Sequence, residues 1–282
     1  MPIDLHCHTR ISDGSLGVEE LIAIAKRRGL TAIAVTDHDA VIGATRAGMI
    51  GKRQGVEVIP GVELTATDPA CGRKVHILGY LYDHPDRLEG YCRQVMQIRR
   101  TAAAEMIRRV LRYYPIVPDM ITRCAAGSTG IYRAHIMHAL MEAGYAASIH
   151  GRVYDRLFSA NGGCAVVPCT YPDVREAIRL LHSAGGIAVL AHPYTYDSEE
   201  LMEALTAEGL LDGIEVWRPD HTPEQIERLI AFADAHGLLK TGGSDFHGMY
   251  SATVRPLGCA GIPDDTVQAM LNCKAARLCV TE

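Results

Sequence analysis

The feature that most limits how this chain can fold is the alternation of short apolar runs with amphipathic segments of helical period. Residues 3–6 and 32–36 read as strands, and residues 18–28 between them read as a helix. The same alternation returns after residue 173. It is typical of parallel strands connected by helices. The sequence therefore predicts an α/β protein in which about seven strands form a closed barrel.

The other predicted elements follow the same rule, apart from the end of the chain. Further strands are predicted at residues 57–64, 75–80, 187–191, 213–216 and 239–242. Further helices are predicted at residues 44–51, 173–184, 198–207, 223–236 and 264–271. A final extended run is predicted at residues 276–280.

The alternation stops in the middle of the chain. Residues 86–114 form a long, arginine-rich helical stretch, and helical pieces continue through residues 135–143 and 150–158. We therefore predict that residues 1–87 and 169–282 form the barrel domain. Residues 88–168 are predicted to be a mostly helical insertion, packed over one end of the barrel as a substrate cap.

The bulk composition narrows the class of protein. The 282 residues, 48% of them hydrophobic, are enough for one large domain with an insertion. A net charge of −5 argues against a surface that coats long duplex nucleic acid. No apolar run approaches the roughly 18 residues of a membrane span. A strand predicted at the very N-terminus leaves no room for a signal peptide.

The cysteines indicate the compartment. There are nine, an odd number, with irregular spacing and without a Cys-x-x-Cys pair. Such a pattern favours reduced, partly buried thiols in a cytoplasmic protein over a disulfide framework.

Side chains that bind metals stand at the ends of the apolar runs. His6 and His8 are two residues apart, so on an extended strand both imidazoles can face one centre. Barrels of this kind place their chemistry at the C-terminal ends of the strands, where distant ligands can converge. The predicted ligands are His6, His8, Asp13, His38, Glu63, His76, His192, Asp245 and His247.

The chemistry of this set indicates the ions. Imidazole with carboxylate suits Mn²⁺, Fe²⁺ or Zn²⁺ better than Ca²⁺ or Mg²⁺, which prefer shells of oxygen. Nine ligands are too many for one ion of four to six bonds. The sequence therefore predicts two or three divalent ions in each chain.

Two segments, Asp4-Leu5-His6-Cys7-His8 and Gly243-Ser244-Asp245-Phe246-His247, resemble motifs of the PHP (polymerase and histidinol phosphatase) family of metal-dependent phosphoesterases. The nearest resemblance is to the branch of nucleoside 3′,5′-bisphosphate phosphatases and 5′-to-3′ exoribonucleases. It implies a distorted (β/α)7 barrel with a trinuclear metal centre. The resemblance assigns a first ion to His6, His8, Glu63 and Asp245. Glu63 would also bind a second ion, together with His76 and His192. A third ion would be held by Asp13, His38 and His247.

The resemblance also implies the reaction. The expected activity is hydrolysis of phosphate monoesters or diesters of nucleotides, such as a nucleoside 3′,5′-bisphosphate or a short 5′-phosphorylated RNA. Clustered dications lower the pKa of a bound water, so the expected nucleophile is a metal-activated hydroxide. The residues expected to take part in catalysis are Asp13, His38, Glu63, Asp245 and His247.

Substrate contacts are expected mainly from the insertion. Tyr132-Arg133-Ala134-His135 resembles the branch's Arg-Pro-His segment, with alanine in place of proline. Its arginine would contact a substrate phosphate, and His135 is also expected to contact the substrate. Arg99 matches a second arginine of the branch, with Arg100 as its competitor. His221 follows a strand and is expected to contact the leaving group.

Some roles and some other functions stay open at this stage. Asp4, Asp37 and Asp39 could each orient a metal ligand or take a local structural role such as capping. The same metal core occurs in histidinol-phosphate phosphatases and in non-catalytic regulatory PHP modules. A metal-dependent amidohydrolase also uses His-x-His but normally needs a bridging carboxylated lysine, and no lysine ends a strand at a suitable position.

Overall fold

The predicted strands form a single sheet in which the spatial order of the strands equals their order along the chain. The computed structural model describes residues 2–280. Its strands are β1 (Ile3–Cys7), β2 (Ala32–Val35), β3 (Glu57–Thr67), β4 (Lys74–Tyr80), β5 (Ile187–Leu190), β6 (Gly213–Trp217) and β7 (Leu239–Gly242). The two edges of the sheet meet where the His8 amide donates to the Phe246 carbonyl at 2.9 Å. The sheet therefore curls into a distorted barrel, and the predicted fold class is confirmed.

Helices cover the outside of this sheet and fill the central part of the chain. They are α1 (Val18–Arg27), α2 (Ile42–Gln54), α3 (Pro85–Val110), α4 (Pro118–Cys124), α5 (Arg133–Glu142), α6 (Arg152–Phe158), α7 (Val174–Ser183), α8 (Glu199–Ala207), α9 (Pro223–His236) and α10 (Thr266–Val280). Among the described residues, none of these helices combines the length and apolar character that a membrane crossing requires.

Strand β4 corrects the prediction of uniformly parallel strands. It runs antiparallel to both β3 and β5, because only the short turn of residues 68–73 separates β3 from β4. A turn of that length can join antiparallel neighbours, whereas a parallel pair needs a long crossover. The N-terminal end of β4 therefore lies at the same barrel end as the C-terminal ends of the other strands. His76, near the start of β4, lies directly opposite Thr65 of β3.

The end of the chain also differs from the prediction. We expected a short helix and then an extended run at residues 276–280, but one helix, α10, continues through Val280. Its sequence contains neither glycine nor proline, and alanine, leucine, lysine and arginine all favour a helix. Met270 on this helix is fully buried against the apolar core of the barrel, which stabilises the helix further.

The central helices have an apolar cluster separate from that of the barrel. The first half of α3 packs into the barrel core through Leu88 and Val95. Its second half packs with α4, α5 and α6 through Met106 and Val110. Tyr250, from the loop after β7, is also part of this second cluster. Helix α3 and Tyr250 thus attach the central helices to the end of the barrel where the candidate ligands lie.

Candidate metal centre

Glu63 of β3 lies at the centre of a group of histidines and is 1% exposed. Ring nitrogens of five histidines lie within 3.3 Å of its two oxygens: His76 (2.7 Å) and His192 (2.9 Å) at Oε1, and His38 (3.1 Å), His8 (3.2 Å) and His6 (3.3 Å) at Oε2. One buried carboxylate therefore contacts imidazoles supplied by four different strand ends.

The two histidines at the end of β1 converge as their spacing predicts. The Nε2 atoms of His6 and His8 are 3.1 Å apart. Asp245, in the loop after β7, places Oδ1 3.5 Å from the first nitrogen and 3.4 Å from the second. These three side chains and Glu63 thus face one another across a space that a small cation could fill.

Asp13, His38 and His247 form the outer part of the cluster. Asp13 Oδ1 is 3.3 Å from His247 Nε2, and Asp13 Oδ2 is 3.8 Å from His38 Nε2. Together with His8, these residues bring one ligand atom each to within 4.8 Å of one another. All nine residues predicted from the sequence therefore lie in one connected group.

Asp37 holds the loop that carries Asp13. Its carboxylate accepts hydrogen bonds from the Thr9 amide (2.8 Å), the Thr9 hydroxyl (2.7 Å) and the Ser12 hydroxyl (2.7 Å). The Ser12 hydroxyl also lies 3.4 Å from His8 Nδ1. Asp37 thus folds the loop around His8 through its hydrogen bonds to Thr9 and Ser12.

Asp4 and Asp39 have similar positioning roles on the two sides of the cluster. Asp4 accepts from the Ser244 amide (2.9 Å) and the Gly258 amide (2.8 Å), which fixes the loop containing Asp245 against β1. Asp39 accepts from both the amide and the hydroxyl of Thr65 at 2.8 Å. The sequence left open whether these aspartates orient metal ligands or stabilise local structure. Each of them does both, because it fixes backbone beside a candidate ligand.

Glu215, which the sequence analysis missed, supports two of the candidate ligands. Its Oε1 is 2.8 Å from His6 Nδ1, and its Oε2 accepts from the His192 amide at 2.8 Å. Arg218 joins this carboxylate (3.1 Å) to that of Asp245 (3.1 Å). A carboxylate on the outer nitrogen of a metal-binding histidine fixes the tautomer and the ring orientation. A charged residue inside the apolar run of β6 was the signal that could have identified Glu215.

The backbone at the cluster is strained. His192, Asp245 and Asp39 have φ values of 28°, 53° and 51°, in the left-handed region that non-glycine residues seldom adopt. A side chain at Gly243 would place its Cβ 2.2 Å from the Cβ of His6, so only glycine lets this loop approach β1. Strain of this kind concentrates at functional sites, where the surrounding structure compensates for it.

Burial and neighbouring charges set the protonation of the cluster. Burial alone would raise the pKa of Glu63, but His38, His76 and His6 outweigh it and hold that pKa well below its usual range. Burial lowers the pKa of His76 to about 3 and moves that of His38 in the same direction. Glu63 is therefore charged at pH 7, which is the form that binds metals. Burial alone would lower the pKa of His6 and His8, but Glu63 and Asp245 outweigh it and raise both, so a metal ion must displace a proton from each of these rings.

Unpaired atoms provide a direct test of whether divalent ions fit. Five buried polar atoms of the cluster make no hydrogen bond of suitable geometry, although three of them lie within 3.3 Å of another ligand atom: Asp13 Oδ1, His38 Nδ1, Glu63 Oε2, His76 Nε2 and His192 Nδ1. Buried polar atoms rarely stay unpaired in a folded protein, and these are all imidazole nitrogens or carboxylate oxygens. The donor set thus fits divalent metal ions.

A cavity of about 620 Å³ opens above the cluster. Its walls include four cationic side chains, Lys74, Arg99, Arg133 and Arg255, and five tyrosines, Tyr132, Tyr154, Tyr171, Tyr196 and Tyr250. A cavity of this size fits a nucleotide-sized ligand.

The four cationic side chains of the cavity, here called the cationic wall, are only partly neutralised by nearby carboxylates. Arg99 donates to Asp39 at 2.9 Å, and its guanidinium lies 4.7 Å from the centre of the Tyr132 ring. Burial and the nearby charges of Arg99 and Arg133 lower the pKa of Lys74 to about 8. Three cations held close together favour an anionic ligand, because such a ligand relieves their mutual repulsion.

The predicted substrate contacts divide into two groups. Arg99 and Arg133 line the cavity, whereas Arg100 donates to the Thr129 carbonyl at 3.3 Å instead. His135 and His221 are not part of the cavity wall.

Local hydrogen bonds explain where these two histidines lie. His135 Nδ1 accepts from the Tyr132 amide at 3.2 Å and so caps the start of α5. His221 Nδ1 donates to the Val216 carbonyl at 2.9 Å, and its ring packs edge-on against Tyr194. Two cationic side chains of the cavity wall, Lys74 and Arg255, were not predicted from the sequence. Lys74 stands two residues before His76 on β4 and therefore on the same face of the strand.

Comparison with known proteins identifies similar chains. A model of the PHP domain matches residues 4–184. A phosphoribosyl 1,2-cyclic phosphate 1,2-diphosphodiesterase of Eggerthella lenta is 36% identical over 88% of this chain and 94% of its own length. A 3′,5′-nucleoside bisphosphate phosphatase of Chromobacterium violaceum is 31% identical over 87% of each chain. The crystal structure of a Bifidobacterium adolescentis protein, assigned as a metal-dependent phosphoesterase, aligns with a TM-score of 0.86 and 32% identity over 97% of this chain and 98% of the other.

Proposed function

Because this chain belongs to the PHP domain family of metal-dependent phosphoesterases, we propose that it hydrolyses phosphate esters of nucleotides at the cluster around Glu63. The observation that carries the proposal is the arrangement of the cavity. A buried group of imidazoles and carboxylates forms its floor, and four cationic side chains stand on its wall. Such a cavity can bind one phosphate ester at the floor and another anionic group at the wall.

The nine clustered side chains are proposed to hold two or three divalent ions, with Mn²⁺, Fe²⁺ or Zn²⁺ as the candidates. Bound there, such ions polarise the phosphoryl oxygens and lower the pKa of a water molecule. The grouping expected from the family is supported by the contacts. His6, His8 and Asp245 lie on one side of Glu63, and His76 and His192 lie on the other. Asp13, His38 and His247 would form the third position.

The residues around this set have distinct tasks in the proposal. Glu63 stays charged and contacts both inner groups of histidines, so it is placed to bridge two ions. Glu215 holds the ring of His6, and Asp37 and Asp4 hold the loops that carry Asp13 and Asp245. The chain would thus arrange its ligands before a substrate enters, which is the usual condition for electrostatic catalysis.

The cationic wall is proposed to select substrates with a second phosphate. Arginine suits this task because its planar fork can bind two phosphate oxygens, and Lys74 adds a point charge. Two relatives are named for compounds with two phosphate groups, a nucleoside bisphosphate and a phosphoribosyl cyclic phosphate. For this chain we propose a nucleoside 3′,5′-bisphosphate or a short 5′-phosphorylated RNA, with the tyrosines available to stack against a base.

The domain division and the compartment belong to the same proposal. We infer that residues 88–168 act as a substrate cap on a barrel formed by residues 1–87 and 169–282, because Arg99, Tyr132 and Arg133 of the cap reach the cavity. The cysteines described by the structure are free thiols. This favours the cytoplasm, where thiols stay reduced.

A phosphate-release screen tests the proposal. The protein, loaded with Mn²⁺, is offered a nucleoside 3′,5′-bisphosphate, a nucleoside monophosphate, a short 5′-phosphorylated RNA, phosphoribosyl cyclic phosphate and histidinol phosphate. We expect the bisphosphate to be preferred over the monophosphate by about 10- to 100-fold in kcat/KM, as one charge-assisted contact of about 1.5–3 kcal/mol would give. A chelator should abolish every activity.

The other outcomes of the screen each contradict a defined part of the proposal. Turnover of histidinol phosphate alone, or mainly of the cyclic phosphate, would overturn the choice of substrate. No turnover of any phosphate ester by metal-loaded protein would instead support a non-catalytic module.

A further inference from the structure

A second group of metal-binding side chains lies on the insertion, away from the nine residues around Glu63. Cys124 ends α4, and His138 and Glu142 stand four residues apart on α5, so the last two share one helix face. One ligand atom of each of the three lies within 4.8 Å of the others, and His138 Nε2 is 3.6 Å from Glu142 Oε1. We propose that these three side chains bind one zinc ion that is separate from the catalytic metals.

The kinds of donor favour zinc over the harder ions. A thiolate, an imidazole and a carboxylate make a mixed sulfur, nitrogen and oxygen set, which Zn²⁺ accepts in tetrahedral sites. Three protein ligands leave the fourth position to water. Cys124 is partly exposed, and the Glu142 side chain is 48% exposed, so an ion can reach the site from solvent. The bond to sulfur replaces the thiol proton, which passes to the solvent.

The outer nitrogen of His138 already has the partner that a zinc-bound histidine needs. Its Nδ1 is 2.8 Å from the hydroxyl of Tyr250. With zinc on Nε2, Nδ1 must carry the ring proton and donates it to the Tyr250 oxygen. A hydrogen bond at this position fixes the tautomer and the orientation of a metal-binding imidazole. This contact is independent of the three ligand atoms and points to the same use of the ring.

Tyr250 connects the proposed zinc site with the catalytic cavity. It lines that cavity, and it lies three residues after His247 of the metal centre. Two hydrogen bonds join it to the insertion, one between its hydroxyl and His138 and one from His150 Nε2 to its backbone carbonyl at 3.0 Å. Zinc at Cys124, His138 and Glu142 would therefore hold the cap against the loop that carries His247.

Cobalt spectroscopy on the full-length chain tests this site separately from catalysis. Co²⁺ bound to a thiolate gives a charge-transfer band in the near ultraviolet, and the nine residues around Glu63 include no cysteine. We expect such a band to saturate at one Co²⁺ per chain, to be displaced by Zn²⁺, and to disappear in Cys124→Ser. It should persist in the matched controls Cys164→Ser, on the insertion, and Cys169→Ser, at the cavity wall.

Two results would overturn the proposal. One is the absence of a thiolate band in the wild-type chain. The other is a band that survives Cys124→Ser or is lost in Cys169→Ser, since the thiolate would then come from elsewhere. Melting followed by circular dichroism checks that Cys124→Ser is folded.

Tyr250→Phe provides a second variant that keeps the aromatic ring. We expect its dissociation constant for Zn²⁺ at this site to rise by about 10- to 100-fold, the usual effect of removing the partner of a metal-binding histidine. An unchanged constant would contradict the link between the zinc site and the cavity.

Discussion

The end of the barrel and the helical insertion meet at one cavity but present their polar side chains in different ways. At the barrel end, Glu63 and the histidines around it are almost completely buried, and further carboxylates such as Glu215 hold them in place. On the insertion, Arg133 is exposed and rests on the ring of Phe158, 5.7 Å from the guanidinium. The barrel end is thus preorganised, whereas this arginine is free to adjust to a ligand.

This difference indicates where a substitution can change substrate specificity without reducing the activity towards every substrate. A ligand on a strand end takes part in several buried contacts, so its loss should affect every substrate. A cation on the cap acts on one part of the substrate, so its loss should affect only the substrates that have a charge there. Substitutions in the two regions test whether the barrel end governs the reaction and the cap governs the choice of substrate.

The largest effect is expected for Asp245→Ala. This change removes a carboxylate 3.5 Å or less from the Nε2 atoms of His6 and His8. We expect turnover of all phosphate esters to fall by about 100- to 1,000-fold or more, with lower metal content and a nearly unchanged circular dichroism spectrum. The measurements are phosphate release and metal analysis of the purified variant.

Asp220→Ala is the matched control for that variant. Asp220 pairs with Arg218 and Arg255, the same two arginines that contact Asp245, but does not line the cavity. It should retain turnover and metal. Equal losses in both variants would mean that the arginine network, and not metal binding, accounts for the effect.

A smaller and selective effect is expected for Arg133→Ala. We expect a loss of about 1.5–3 kcal/mol in transition-state binding of a doubly phosphorylated substrate and little change for a singly phosphorylated one. The measurement is kcat/KM for both, with Arg100→Ala as control, since Arg100 bonds to the Thr129 carbonyl outside the cavity. Equal losses of kcat/KM for the two substrates would contradict the proposal that the cap selects the substrate and the barrel end carries out the reaction.

Glu215→Gln tests whether the support of His6 matters for metal binding. The substitution removes the charge that contacts His6 Nδ1 but keeps the shape of the side chain. We expect metal affinity to fall by about 10- to 100-fold, with the same proportional loss for every substrate. Titration with Mn²⁺ measures this, and Glu208→Gln, an exposed partner of Arg175, serves as control. Wild-type affinity in Glu215→Gln would contradict the positioning role.

The smallest effect is expected for His221→Ala. Because this imidazole bonds to the Val216 carbonyl and does not line the cavity, we expect an unchanged kcat/KM. The free energy of unfolding should fall by about 1 kcal/mol for the lost hydrogen bond. Denaturant unfolding and steady-state kinetics check the two parts, and a clear fall in kcat would restore the leaving-group contact expected from the sequence.

The candidate metal ligands at the strand ends could be predicted from the sequence because each is marked by a short local motif. The pair His6 and His8 and the segment Gly243 to His247 combine a strand period with a metal-binding side chain, and the barrel fold brings such positions together. The direction of β4 was missed although the sequence contains its signal, because residues 65–74, between the two predicted strands, are too few for the crossover that a parallel pair needs. Helix α10 was misjudged because its apolar end also fits a strand.

The supporting contacts of the site depend on pairs far apart in the chain. Glu215 meets His6 across 209 residues, and Arg99 meets Asp39 across 60. A single sequence does not show either pairing. A glutamate inside an apolar strand nevertheless indicates a buried carboxylate that needs a partner. His221 shows a different case, since the sequence predicts a substrate contact for it, whereas its Nδ1 bonds to a nearby backbone carbonyl.

Anomalous diffraction from crystals grown with Mn²⁺ tests the central claim most directly. The claim is that nine side chains from distant parts of the chain together hold divalent ions at the end of the barrel. The account predicts two or three anomalous peaks beside Glu63, each about 2.0–2.3 Å from imidazole or carboxylate atoms of the set. Peaks only elsewhere in the chain, or none at this cluster in crystals that contain Mn²⁺, would contradict it.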